Sequence, residues 1–237
     1  MKAEITNFNS SFFEYLCGFI WFNRYRLADL MKRYPIGVTE QGEPIFWHIN
    51  SEHKITNGRI LTMDSETGKV YDDSWYYQDK RPTCLFGDYL LDTFPTQTVA
   101  LVTDEMTAAV MSCFPTPYVW LATGKEKATP TDLLPLVGKS VVVFPNKGEY
   151  SKWQETLQAV PNLQFYVSDV MEKAQGDCHT IAQMVLSQQP LRPTEAEAAL
   201  MRMEEVNPNV ALLVKALGLE VVGILPTSDI SQDETPK

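Results

Sequence analysis

The stretch that decides the fold reads Val99-Ala-Leu-Val-Thr103-Asp104-Glu105-Met106-Thr107, then Tyr118-Val-Trp-Leu-Ala122, then Ser140-Val-Val-Val-Phe144-Pro-Asn-Lys-Gly148. Each apolar run is short, β-branched and nearly continuous, as a strand reads when both its faces are covered. The segments between the runs have helix-forming composition, Met106 to Met111 above all. Strand, helix, strand, helix, strand in this order predicts an α/β fold with a parallel sheet flanked by helices. Ligands of such sheets sit at the carboxyl ends of the strands. Those ends are Thr103-Asp104-Glu105 and Pro145-Asn146-Lys147.

Outward from this stretch the chain divides into three parts, expected at 1–97, 98–190 and 191–237. Residues 11–34 predict a helix pair, with Ser10 or Ser11 capping the first helix, Asn23 opening the second and Pro35 ending it. Residues 36–80 predict a small antiparallel β-meander of three strands, Pro44–Ile49, Arg59–Met63 and Val70–Tyr77. Asn57-Gly58 serves as the first turn signal. Beyond the sheet, Glu149 to Leu157 reads as a helix, Leu163 to Val167 as a fourth strand and His179 to Leu186 as a helix. In the last part Thr194 and Glu197 form a capping box. A second helix opens at Pro208, Leu219 to Leu225 reads as a final strand, and the polar end from Ser228 reads as disordered.

The chain has 237 residues, 44% of them hydrophobic and 21% charged, which is ordinary for a globular protein. Its net charge is −10, and none of the three parts is basic, so a general phosphate-binding surface is not expected. The exception is local: Arg24, Arg26, Lys32 and Arg33 lie among the aromatic residues of the helix pair. That combination suits stacking on bases as well as core packing. Cys17, Cys84, Cys113 and Cys178 form no C-x-x-C pair and read as reduced thiols. They have no zinc-ligand spacing with His48, His53 or His179. No export signal and no membrane span is legible, and the expected location is cytoplasmic.

The phosphate-loop, dinucleotide, zincin and nucleophile-elbow motifs are absent. What remains is a set of carboxylates at strand ends: Asp104, Glu105, Asp169 and Asp177. Converging at one sheet edge, such groups hold Mg²⁺ for phosphoryl transfer. The plainer reading is that Asp104 caps a helix and Glu105 favours its dipole.

The order of these elements resembles the toprim domain of bacterial primases and topoisomerases. It resembles more closely the primase-like, toprim-type proteins of bacterial mobile elements. The resemblance runs through Phe46-Trp47, Cys84-Leu-Phe-Gly87, Val99 to Ala108, Val119 to Gly124, Val141 to Pro145 with Gly148 and Trp153, and the Thr194 to Glu197 segment. It implies a toprim-like Rossmannoid sheet and a glutamate at the end of the first strand as metal ligand or general acid/base. It also implies an aspartate at the end of the third strand. Here Thr103 stands at the first position, with Glu105 two residues on, and Asn146 at the second, followed by Lys147. An amide brings no negative charge to Mg²⁺ and a lysine repels it.

Three functions are therefore weighed. The first is a degenerate, non-catalytic toprim-like protein in replication or mobilisation of a mobile element. It would have DNA or a replication or mobilisation protein as partner, no resident cofactor, and nucleic-acid contacts through Arg24, Arg26 and Lys147. The second is a Mg²⁺-dependent primase-type transferase with Glu105 as catalytic residue and Asp104, Glu105, Asn146 and Asp177 as metal ligands. The third is an acidic protein-interaction module. If Glu105 is only a helix-start carboxylate, Glu105→Ala costs no more than about 1 kcal/mol in a thermal melt.

Overall fold

A computed structural model of the chain describes residues 9–124, 128–207 and 209–217. The chain falls into two compact units, Met1–Pro190 and Leu191–Lys237.

The first unit begins with α1 (Ser11–Cys17) and α2 (Arg24–Arg33). Asn23 caps α2 by accepting from the Tyr25 and Arg26 amides. An antiparallel sheet follows in the order β1-β2-β3-β4: β1 (Ile36–Val38), β2 (Pro44–Ile49), β3 (Ile55–Met63) and β4 (Val70–Trp75). After the short α3 (Leu90–Thr93) comes the parallel sheet: β5 (Thr98–Val102), β6 (Tyr118–Ala122), β7 (Ser140–Val143) and β8 (Gln164–Val167), ordered β6-β5-β7-β8. Its connections carry α4 (Glu105–Met111), a 3₁₀ turn (Pro130–Leu136) and α5 (Tyr150–Gln158). It is followed by α6 (Val170–Lys173) and α7 (Ile181–Leu186). The α/β architecture expected from the three apolar runs is the one observed. Val99 pairs with both Val119 and Val141, so β5 lies inside the sheet and is buried on both faces.

One core joins the two sheets. Phe12, Leu16, Leu30, Phe46 and Phe86 pack with Val99, Leu101 and Trp120 in a single cluster. Phe12 meets Phe13 and Phe46 edge-on, and Tyr34 stacks on Phe86. The division expected at 97/98 thus falls between two layers of one unit. On β2 every residue is buried, and alternation splits them between two faces. Phe46 and His48 share the face that holds the main core, whereas Ile45, Trp47 and Ile49 form a satellite cluster on the other.

The meander departs from its expected form in two ways. It has a fourth strand, β1, on the outer edge of β2. And Asn57-Gly58 is not a turn but lies inside β3, with Trp47 opposite Gly58 and His48 opposite Asn57. The chain reverses instead at Asn50–Lys54, where His53 takes a positive φ of 58°. Gly58 is needed for space: a Cβ there would lie 2.6 Å from the Trp47 ring and 2.8 Å from Ile45. The Asn57 amide accepts from the Tyr77 amide and donates to the Tyr77 and Lys80 carbonyls, which holds the segment beyond β4 against β3. Asparagine and glycine favour turns by backbone freedom; here side-chain packing and side-chain hydrogen bonding decide.

The second unit carries α8 (Glu195–Val206) and α9 (Asn209–Leu217). The capping box of Thr194 and Glu197 is present as expected, and α8 buries none of its residues. The strand expected at Leu219–Leu225 and the tail from Ser228 lie outside the described residues. No described helix is long and apolar enough to cross a membrane.

Gly58→Ala should lower stability by about 1–3 kcal/mol, because the added methyl must displace the Trp47 indole. Urea denaturation measures it, and an unchanged midpoint would show that Trp47 has room to yield.

Candidate functional site

The carboxyl end of β5 passes directly into α4, and the two acidic residues at this junction serve different ends. Asp104 has extended backbone and accepts the Thr107 amide at 2.7 Å, the geometry of a helix cap. Burial pushes its carboxyl above the usual range, against the pull of the Thr107 hydrogen bonds. Glu105 turns inward and is 3% exposed. Its Oε1 lies 2.8 Å from Nε2 of His48, whose side chain is wholly buried.

The protonation of this pair follows from its second partner. Nδ1 of His48 lies 3.0 Å from the Cys84 carbonyl, which can only accept, so Nδ1 carries a proton. Burial, the largest influence, disfavours charge on the ring, but Cys84 and Glu105 outweigh it and raise the His48 pKa to about 9. At neutral pH the ring is an imidazolium donating to a carbonyl and to a carboxylate. Trp75 and Phe86 stand edge-on around it. Gly124 closes the site. Its φ is +64°, and a Cβ there would lie 2.5 Å from Glu105 Oε1 and 2.9 Å from His48 Cε1, so only glycine fits. The Gly124 amide donates to the Thr103 carbonyl at 2.9 Å. Its own carbonyl accepts from Nη1 of Arg59 at 3.1 Å. Arg59 also pairs with Asp73 at 2.8 Å and lies over the Trp75 ring. Pair, glycine and arginine thus tie β2, β3 and β4 to the edge of the parallel sheet. Arg59, Lys69, Asp104, Glu105, Thr180 and Gln183 help to line a cleft of about 440 Å³ beside them.

The other expected site residues are placed elsewhere. The Thr103 hydroxyl donates to Glu149 at 3.4 Å, and Glu149 pairs with Lys152 at 3.1 Å. Asn146 and Lys147 follow the carboxyl end of β7. The Lys147 ammonium donates to the carbonyls of Ala174 and Gly176 at 3.0 Å each, just ahead of the exposed Asp177. Among the described residues no three His, Cys, Asp or Glu side chains converge on a point where a metal could sit. Asp104, Glu105 and Asp177 are therefore not brought together as the expected magnesium set. With one carboxylate capping a helix, one paired to an imidazolium and an amide beside a lysine, the donor set does not fit Mg²⁺. Arg24 and Arg26 are on α2, and Arg26 lines a pocket with Ser112–Thr116, the segment that enters β6 at its amino end. Lys147 is at the carboxyl end of the same sheet, so the three basic candidates do not form one face.

His48 and Arg59 were missed as site residues. The available signal was a histidine inside the otherwise apolar run Pro44–Ile49, two residues from Phe46 and therefore on the same face. Nothing local names Glu105 as its partner.

The family described as Domain of unknown function (DUF6371) matches residues 10–147. That span holds His48, Arg59, Glu105 and Gly124. No curated protein matches the chain. Among solved structures, the chain is similar to the primase fragment of the bacteriophage T7 primase-helicase protein, at 13% identity and a TM-score of 0.45, over 68% of this chain and 64% of that one. It is similar to the DnaG primase catalytic domain bound to ssDNA, at 14% and 0.45, over 83% and 72%. It is also similar to the E. coli primase catalytic core, at 14% and 0.44, over 88% and 80%. The chain thus spans just under two thirds of the T7 fragment.

Because Glu105 is buried against an imidazolium, the small cost expected of a helix-start carboxylate no longer holds. Glu105→Ala should cost about 3–5 kcal/mol in urea denaturation, the usual penalty for stranding a buried charge. A cost under about 1 kcal/mol would return Glu105 to a helix-start role. An unfolded histidine titrates near 6.5, and folded His48 near 9. The pair's contribution is thus complete below about pH 6.5 and lost as pH rises through about 9. Wild-type stability should fall across that window, and a His48→Gln, Glu105→Gln double variant should show a markedly smaller fall.

Proposed function

The chain belongs to the DUF6371 family, a domain of unknown function, and on that premise we propose that it is a non-catalytic, toprim-like protein that binds nucleic acid rather than processing it. The observation that carries the non-catalytic part is the buried His48–Glu105 pair. Of the two carboxylates beside the expected catalytic position, Asp104 caps α4, and Glu105, although it reaches the cleft wall, is buried and paired with the His48 imidazolium. A metal-dependent phosphoryl transferase needs the opposite, several unpaired carboxylates converging on open solvent. Thr103 and Asn146 supply neither charge. The nucleic-acid part rests on the toprim resemblance read from the sequence and on the basic residues of α2 in an otherwise acidic chain. The resemblance further supports work in replication or mobilisation of a mobile element, with DNA or a protein of that machinery as partner and no resident cofactor.

A thermal-shift titration with Mg²⁺ and Mn²⁺, on wild type and on Glu105→Gln, tests the first part. A ligand at 100 times its dissociation constant stabilises the folded state by about 2.7 kcal/mol, a shift of several degrees for a chain this size. No metal-dependent shift is expected in either protein. A wild-type shift abolished by Glu105→Gln would install the Mg²⁺-dependent transferase instead. Thr103→Glu with Asn146→Asp should create measurable Mg²⁺ affinity by calorimetry; no heat would show that these positions do not correspond to toprim ligands.

A further inference from the structure

Helix α2 and the segment Ser112–Thr116 enclose a pocket of about 300 Å³ at the amino end of β6, away from the Glu105 junction. Arg26 and Arg33 lie on its wall, seven residues apart and so on one face of the helix, about 10 Å from each other along the axis, with Asp29 on the same wall between them. The ten residues of α2 carry four basic side chains and one acidic, whereas the whole chain has 20 and 30. The acidic one, Asp29, pairs with Lys32 at 3.4 Å. No carboxylate among the described residues pairs with Arg24, Arg26 or Arg33. Arg26 and Arg33, two guanidinium groups without a carboxylate partner on one pocket wall, outnumber the single carboxylate there, and Asp29 is already paired with Lys32.

Local contacts fix how these groups are presented. Arg33 donates through Nη1 to the Ser112 carbonyl at 2.8 Å, which anchors the fork and leaves four of its five donors. Arg26 lies 3.7 Å above the Trp21 ring, and Trp21 stacks on Phe114 at 5.2 Å, nearly parallel. The indole also donates to the Cys113 carbonyl. Trp21 is therefore engaged as a platform for Arg26 and is not the ring on which a base would stack. That ring is Tyr25, which is 70% exposed and has the Arg24 guanidinium over one face, 5.2 Å from its centroid.

We propose that this face of α2 binds single-stranded nucleic acid: Arg26 and Arg33 each take a phosphate in the pocket, and an unpaired base stacks on Tyr25. Guanidinium forks match phosphate geometry, and stacking on an exposed ring requires a base free of its complement. The proposal rests on the nucleic-acid reading above and deepens it by moving the binding surface away from the cleft edge. Lys147, tied to two carbonyls at the other end of the sheet, has no part in it.

The test is fluorescence anisotropy of a labelled single strand of about 16 nucleotides, with chelator present, at several salt concentrations. The Arg26→Gln, Arg33→Gln variant should bind at least about tenfold more weakly. Its slope of log affinity against log salt should be shallower by about 1.4, since each phosphate of a single strand that is no longer neutralised removes about 0.7. Because Arg33 also holds Ser112, Arg26→Gln alone is a second variant, expected to reduce the slope by about 0.7 with only the small fall in melting temperature that losing the Trp21 contact brings. Lys54→Gln, a charge change on the exposed β2–β3 turn, should bind as wild type does. Wild-type binding that survives both arginine variants overturns this surface and leaves the nucleic-acid reading standing. Equal affinity for a duplex of the same length overturns the single-strand assignment. A wild type that binds no strand at all overturns both readings.

Discussion

The rest of the site depends on a histidine that cannot be left alone. His48 sits on a strand whose every residue is buried, between aromatic rings, where an unpaired charge would be costly. It stays charged because a carbonyl from one segment and a carboxylate from another meet its two nitrogens. That requirement fixes the distance between the meander and the parallel sheet more tightly than apolar packing could, since hydrophobic burial has no direction. Gly124 then becomes obligatory, because the backbone must lie against the pair. Arg59 becomes the clamp that fastens that backbone to β3 and β4. A carboxylate at the place where a catalytic edge is expected is thereby turned into a fastening.

The edge shows the same substitution of internal partners for external ones. Thr103 faces Glu149, which faces Lys152. Lys147 faces the carbonyls of the α6–α7 loop. Thr103, Glu105 and Lys147 thus each have a neighbour within the protein. The arginines of α2, by contrast, have no carboxylate partners among the described residues.

Much of the fold was legible in the sequence because it is written locally. The runs at Val99, Tyr118 and Ser140 announce buried parallel strands, and Asn23, Asp104 and Thr194 announce helix starts through single-residue chemistry. Two kinds of information were not local. Gly58 reads as a turn residue until Trp47, eleven positions earlier, is placed across from it. Glu105 reads as a helix-start carboxylate until His48, 57 positions earlier, is placed beside it. Strand register and sheet-to-sheet packing decide both, and neither leaves a periodic mark. Hence the helix-cap role of Asp104 was readable and the role of its immediate neighbour was not.

The position of β5 has a consequence for how the chain is made. Both of its sheet neighbours, β6 and β7, come later in the sequence, and so does the whole of α4. A ribosome delivers the antiparallel sheet first, with His48 already on its inner face. At about 5–20 residues per second, the carboxylate that must meet it follows some 3–11 s later. The meander itself is complete only at Trp75, 30 residues before Glu105, so for about 1.5–6 s of that time its His48 lacks the carboxylate. The part of the fold that is synthesised first thus precedes the carboxylate that completes its site.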